Sequence, residues 1–218
     1  ILKKKKAALV TIKGETSETL GEIFSARFKE LGGTVTMTQT LDVEGKEAKA
    51  VVGKIKSARV EAIYAPIGVS LGQMLSQKIS EAKLNALLFS NSQWESAGAA
   101  VTKEAEGLFY IAPKLNNWEE FRQKVEETTG KQATIASFFV YDGLKLLAET
   151  LRQSGTDKKS LRNALATVYF DKSTALPVIE FNELRELREA LFALKQIRQG
   201  KGEIFLPAAT TSTPAVSQ

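Results

Sequence analysis

Ala7-Ala8-Leu9-Val10-Thr11-Ile12, bounded by Gly14, is a short apolar run that reads as a buried strand. A helix is expected next, with Leu20, Ile23, Phe24, Phe28 and Leu31 at helical spacing. Thr16 or Ser17 would cap it and Gly32-Gly33 would stop it. The same unit then recurs. Thr34–Met37 is a second strand, and Ala48, Val51, Val52 and Ile55 mark one face of a second helix. Val60–Ala65 is a third strand ended by Pro66, followed by a helix outlined by Ser70, Leu71, Met74, Leu75 and Ile79. Ala86–Phe89 and Leu108–Ile111 are two more strands, joined by a weaker helical stretch from Ser96 to Glu104. Strand-helix alternation of this kind predicts an α/β fold, a mostly parallel sheet between layers of helices. Continuous apolar strands imply burial on both faces, so Leu9, Val10, Ile63, Leu87, Leu88 and Phe109 are expected core residues.

Beyond Pro113 the texture changes. Asn117-Trp118-Glu119-Glu120 resembles a capping box opening a helix that carries Phe121 and Val125 and ends at Gly130. The longest helix should run from Thr134 to Ser154, with Phe138, Tyr141, Leu144, Leu147, Ala148 and Leu151 on its apolar side. Asp157 caps a third, with Leu161, Ala164, Leu165 and Val168 inward, and Pro177–Phe181 is the one strand offered to all three. Too much helix faces too little sheet, so either these helices pack against the first domain or their sheet is supplied by sequence absent here; in the second case an apolar patch should remain on the long helix between Ser137 and Leu151. Asn182 to Arg198 is ambiguous. Composition favours a helix there, whereas alternation makes Leu191 to Ile197 a strand that turns at Gln199–Gly202 into Glu203–Leu206. From Pro207 onward Ala, Thr, Ser and Pro dominate, and the tail is expected to be disordered.

The 218 residues contain neither Cys nor His, which removes disulfides, thiolate and imidazole metal sites, cysteine nucleophiles and histidine-based triads. No metal or other cofactor is therefore expected. No pair of acids has a spacing that implies general acid-base work, and no dinucleotide or phosphate-loop motif is present, so an enzyme is not expected. Asp142, beside Tyr141 within the long helix, reads as a packing or junction residue. Lys3 to Lys6 contribute to a formal charge of +5, but elsewhere the signs interleave, as in Lys103-Glu104-Ala105-Glu106, and no nucleic-acid partner is expected. No apolar run approaches the length of a membrane span. A chain opening on Ile1-Leu2 reads as a processed or cut-down piece.

In an open α/β sheet, ligands collect at the carboxyl ends of the strands. Lys13–Ser17, Pro66–Ser70 and Ser90–Glu95 all follow strands and should open on one edge, pooling hydroxyls, amides and backbone N–H groups suited to a small polar or anionic ligand. Trp94 has two readings, a wedge holding its loop or the floor of a ligand pocket facing the opening. Trp118, at a helix start, reads as packing.

The order of several pieces resembles the type I periplasmic solute-binding proteins of ABC transporters, especially the branched-chain amino-acid-binding group. Those pieces are Ala7–Ile12, Leu31-Gly32-Gly33, Val60–Ala65 before Gln73-Met74-Leu75, Ser90–Ser96, Ala105–Phe109, Tyr141–Leu147, Val178–Phe181, Phe192–Ile197 and Gly200-Lys201. The resemblance implies two lobes with a ligand between them, and a chain lacking most of the first lobe. Residues 4–112 would be the second lobe, 113–185 the remaining, mostly helical part of the first, 186–206 a return to the second, and 207–218 a tail. It also makes Leu191 to Ile197 a strand. Arg185 stands where the family turn is normally marked by Gly.

Carried over residue by residue, the ligand-binding positions become Thr16, Ser17, Ile67, Ser90, Asn91, Ser92, Trp94 and Glu95. Thr16 and Ile67 replace aromatics, and Ser92 replaces the acid that meets a ligand ammonium, with Glu95 a displaced substitute. The implied role is an extracytoplasmic solute-binding subunit that serves an ABC permease and sits peripheral to the membrane, in the periplasm or outside the cell. A missing amino-terminal segment could supply an anchor. Exposed apolar surface on the partial lobe could support association. The alternative is a regulatory or envelope-interaction domain of the same fold without a transport role.

Overall fold

The computed structural model describes residues 3–96, 101–188 and 192–206. The expected tail and the middle of the stretch between Ser96 and Glu104 lie outside the described residues, as does Leu191. In chain order the elements are β1 (Lys6–Ile12), α1 (Glu15–Glu30), β2 (Thr34–Leu41), α2 (Ala48–Ser57), β3 (Ala62–Tyr64), α3 (Val69–Glu81), β4 (Leu87–Ser90) and β5 (Phe109–Pro113). There follow α4 (Trp118–Thr129), α5 (Ile135–Ser154), α6 (Lys158–Ala166), β6 (Tyr169–Phe170), β7 (Ile179–Glu180), β8 (Phe192–Arg198) and β9 (Lys201–Ile204). Seven strands form one sheet in the order β2-β1-β3-β4-β5-β8-β9. The pairs β1–β2, β1–β3, β3–β4 and β4–β5 are parallel, and β8–β9 is antiparallel. This is the mostly parallel α/β architecture that the alternation predicts. The residues group into two compact units, Ile1–Ile111 with Leu194–Gln218, and Ala112–Ala193.

In the first unit the central strands carry the core. Leu9, Val10, Ile63, Leu88 and Phe109 are buried as expected, whereas Leu87 is only half-buried at the start of its short strand. Helix α2 buries Ala48, Val51, Val52 and Ile55, the stripe read from the sequence. Helix α1 departs from expectation, since Ile23 and Leu31 are 60% and 63% exposed. Phe24 and Phe28 stay on the contact line as expected, and the line otherwise runs through Ser17 and Gly21, which are buried. Gly21 explains the rotation. A β-carbon there would lie 2.9 Å from Leu9, so the helix rests backbone-first on β1. Phe24 then stacks on Tyr64 at 4.4 Å.

The expected helix between β4 and β5 is not an α-helix among the described residues. Short 3-10 turns occupy Ser92–Ser96 and Lys103–Ala105. The alternation reading of the carboxyl-terminal stretch prevails over its helical composition, because β8 and β9 form a hairpin. Gln199 (φ 51°) and Gly200 (φ 74°) make the turn, a pair of positive φ values that suits the twist of two-residue hairpins.

The second unit packs α4, α5 and α6 around Phe138, Leu146, Phe170, Ala175, Leu176 and Ile179. Trp118 joins this cluster, 5.6 Å from the Phe138 ring, in the packing role expected of it. Strand β7 pairs with β6, which the sequence reading missed. The capping box at Asn117 does not form. Asn117 has φ 51° and its amide donates instead to the Thr174 carbonyl at 3.4 Å. Thr134 makes a genuine box with Ser137 at the start of α5. Along α5 the buried line is Phe138, Asp142, Leu146 and Thr150, one residue every turn. Tyr141, Leu144 and Leu147, expected inside, are exposed with Phe139 and Val140, leaving the apolar patch foreseen on this helix.

Candidate functional site

Strands β1, β3 and β4 are parallel neighbours, so the loops leaving their carboxyl ends share one edge of the sheet. In the first loop, Gly14 (φ 139°) precedes α1, a conformation only glycine adopts readily. Neither Thr16 nor Ser17 caps the helix. Ser17 turns back, and its hydroxyl accepts the Ile12 N–H at 3.2 Å, which leaves the side chain buried. Thr16 is exposed.

In the second loop Ala65 and Ile67 are both almost fully buried, and the Ile67 N–H donates to the Ala65 carbonyl at 2.9 Å. Ile67 therefore packs inward rather than lining the edge. Gly68 then starts α3.

The third loop settles the orientation of Trp94, which does not face the opening. Its side chain is 2% exposed and its indole N–H donates to Ser90 Oγ at 3.0 Å. That hydroxyl donates in turn to the Ala65 carbonyl at 2.7 Å, tying the second loop to the third. The indole ring lies against α3 at Gly72, where a β-carbon would stand 2.5 Å from Cζ2. Burying so large a ring with its one donor satisfied outweighs leaving it in solvent. Asn91 is half-buried and its Oδ1 accepts the Gln93 N–H at 3.1 Å, while Ser92 is exposed.

Glu95 is engaged on both oxygens. Oε2 accepts the Tyr110 hydroxyl at 2.9 Å, and Oε1 pairs with the Lys195 ammonium on β8. Burial, and then the Glu95 charge, push the Tyr110 phenol far above its ordinary pKa, so it stays a donor. Gly202 on β9 makes room for this hydroxyl, because a β-carbon there would fall on it. Sequence reasoning missed Tyr110 and Lys195, and no local pattern announces either one. Of the eight expected binding positions, the structure leaves Thr16, Asn91 and Ser92 reachable from solvent at this edge. It turns Ser17, Ile67, Ser90 and Trp94 inward and occupies Glu95. Among the described residues no group of three or more acidic side chains could hold a metal ion, and no helix is long and apolar enough to cross a membrane.

A sequence model of the family described as periplasmic binding protein matches residues 2–197. The chain belongs to this family. As a periplasmic binding protein chain, it is 23% identical over 211 residues to the Leu/Ile/Val-binding protein homolog 3 of Brucella melitensis biotype 1. That match covers 92% of this chain and 56% of the relative. Its fold is similar to a leucine binding protein from Thermotoga maritima MSB8, with TM-score 0.72 and 16% identity, over 94% of this chain and 61% of that one. An ABC transporter solute binding protein from R. palustris in complex with benzoate gives TM-score 0.71 and 18% identity, over 92% and 57% of the two chains. This periplasmic binding protein chain thus spans little more than half the length of the relatives it matches. The family binds solutes, is extracytoplasmic and is not a family of enzymes.

Proposed function

We propose that this chain is part of an extracytoplasmic solute-binding subunit of an ABC transporter. Two lobes close on a small polar or amino-acid-like solute and present it to a membrane permease, and the chain itself catalyses nothing. Residues 4–112 with the return segment in 186–206 form the second lobe, and 113–185 belong to the first. The observation that carries this reading is the convergence of three loops on the carboxyl edge of parallel β1, β3 and β4, in a chain of this family. Thr16, Asn91 and Ser92 contact the solute, while Ser17, Ile67, Ser90 and Trp94 shape the wall behind them.

Solute chemistry follows from Glu95. Its charge is already met by Lys195 and Tyr110, so it has no free oxygen for a ligand ammonium. An unpaired ammonium in a closed cleft would cost several kcal/mol, roughly, which favours a solute that offers this edge a carboxylate or a neutral polar group. Of the two solved relatives, the one holding benzoate has a carboxylate ligand without an ammonium, and the other is a leucine binding protein.

Amide chemical shifts of the isotopically labelled chain, titrated with leucine and with benzoate, test the proposal. Shifts confined to the three loops, larger with benzoate and saturating only weakly because one lobe encloses half a ligand, are expected. Shifts that avoid these loops would overturn the assignment.

A further inference from the structure

A cavity of about 440 Å³ opens within the second unit, among residues that the solute-binding role does not use. Its floor is apolar, made by Leu146 of α5, Leu161 and Leu165 of α6, and Phe181. Three cations line it as well, Lys158, Arg162 and Arg185, and among the described residues no acidic one does. All three cationic side chains are exposed, and among the described residues none takes part in an ion pair. The acid next to Lys158, Asp157, already accepts the Ser160 N–H at 2.9 Å as the cap of α6. Arg185 holds its place with φ 63°, a left-handed backbone that disfavours any residue with a side chain.

We propose that this cavity binds a monocarboxylate carrying an apolar tail, such as a medium-chain fatty acid. An apolar floor of leucines and phenylalanine favours an alkyl chain, and the volume falls within the range of small-molecule sites. The rim selects the head group. Guanidinium groups present paired N–H donors that match a carboxylate, and a cationic rim without an acidic counterpart leaves that charge to be supplied by a ligand. A zwitterion would bring an ammonium toward three cations and is disfavoured. Every element of the site lies between Leu146 and Arg185, so the proposal does not depend on the loop edge of the other unit.

The probe is octanoate labelled at its carboxyl carbon, held below its micelle concentration and titrated into the 218-residue chain while its NMR signal is followed. Octan-1-ol lacks the charge and acetate lacks the tail. Both should bind at least about tenfold more weakly than octanoate. The variant carrying Arg162→Gln and Arg185→Gln should weaken octanoate binding by about tenfold or more, with an unchanged circular dichroism spectrum, because both side chains are exposed. Leucine and benzoate shifts at Thr16, Asn91 and Ser92 should be unaffected by that variant, which separates this site from the first. Absence of octanoate binding, equal binding of octan-1-ol, or an indifferent double variant would each overturn the proposal.

Discussion

Glu95 and Lys195 lie 100 positions apart in the chain and form an ion pair whose side chains are only 13% and 18% exposed. With Tyr110 they join the turn after β4 to strands β5 and β8. Removing one partner strands the other charge in a largely dry setting. Lys195→Met should destabilise the chain by roughly 2–4 kcal/mol in urea unfolding. Glu95→Gln should cost a similar amount, because it leaves the Lys195 ammonium without a counter-charge even though the amide oxygen can still accept from Tyr110. A double-mutant cycle on the two positions should return about 1–3 kcal/mol of coupling. Additive costs would mean that the pair contributes nothing.

Asp142 organises the second unit in a pH-dependent way. Burial raises its pKa, but donation from Ser173 Oγ at 2.5 Å and from the Thr174 and Ala175 N–H groups more than offsets this and holds it below the ordinary value. A depressed carboxylate pKa contributes stability that is full above the unfolded value and lost as pH falls through the folded one. Acid unfolding should therefore steepen below the ordinary aspartate pKa of 3.8. Asp142→Asn should flatten that limb and cost roughly 1–3 kcal/mol at neutral pH, read from unfolding midpoints across pH.

Replacement of Arg185 by glycine should raise stability. Its φ of 63° is unfavourable for a side-chain-bearing residue by about 1–2 kcal/mol, and glycine relieves this at some entropic cost. A rise in thermal midpoint of a few degrees is expected by scanning calorimetry, roughly in line with a gain near 1 kcal/mol. A lower midpoint would show that the guanidinium stabilises the turn.

The two faces of α5 should respond very differently. Phe138 is fully buried, and truncation to Ala should cost about 3–5 kcal/mol. Val140 and Leu144 are each 61% exposed, and changing both to Lys should alter stability by only about 0.5 kcal/mol. The same change should reduce binding of a hydrophobic dye and lower the apparent mass in light scattering if this apolar patch drives association. An unchanged mass and unchanged dye signal would mean that the patch does not associate.

The two aromatic candidates show how far the sequence could be read. Trp118 opens an amphipathic helix, and its packing role follows from that local position. Trp94 admitted two roles from sequence, because a loop tryptophan can turn toward solvent or toward a helix with equal local freedom. The gap in α3 at Gly72 decided between them, and nothing in the neighbourhood of residue 94 specifies a gap twenty-two residues earlier. Two residues of the expected face of α1, Ile23 and Leu31, lie outside the contact line for a related reason, while Phe24 and Phe28 hold. Periodicity marks Ile23 and Leu31 as apolar, yet the close approach at Gly21 turns the helix onto another line.

Strand-helix alternation, the parallel sheet, the shared edge of the three loops and the likeness to the family are legible along the chain. The first three follow from hydrophobic period and chain order, which are local or topological quantities, and the last from the order of short pieces that resemble the family. Contacts between distant residues decide that Ser17, Ile67, Ser90 and Trp94 turn inward, that Glu95 is spoken for by Lys195 and Tyr110, and that Arg162 and Arg185 share an apolar cavity. Each of these depends on which distant side chain comes within a few ångströms, and burial and charge pairing are set by that meeting rather than by spacing along the chain.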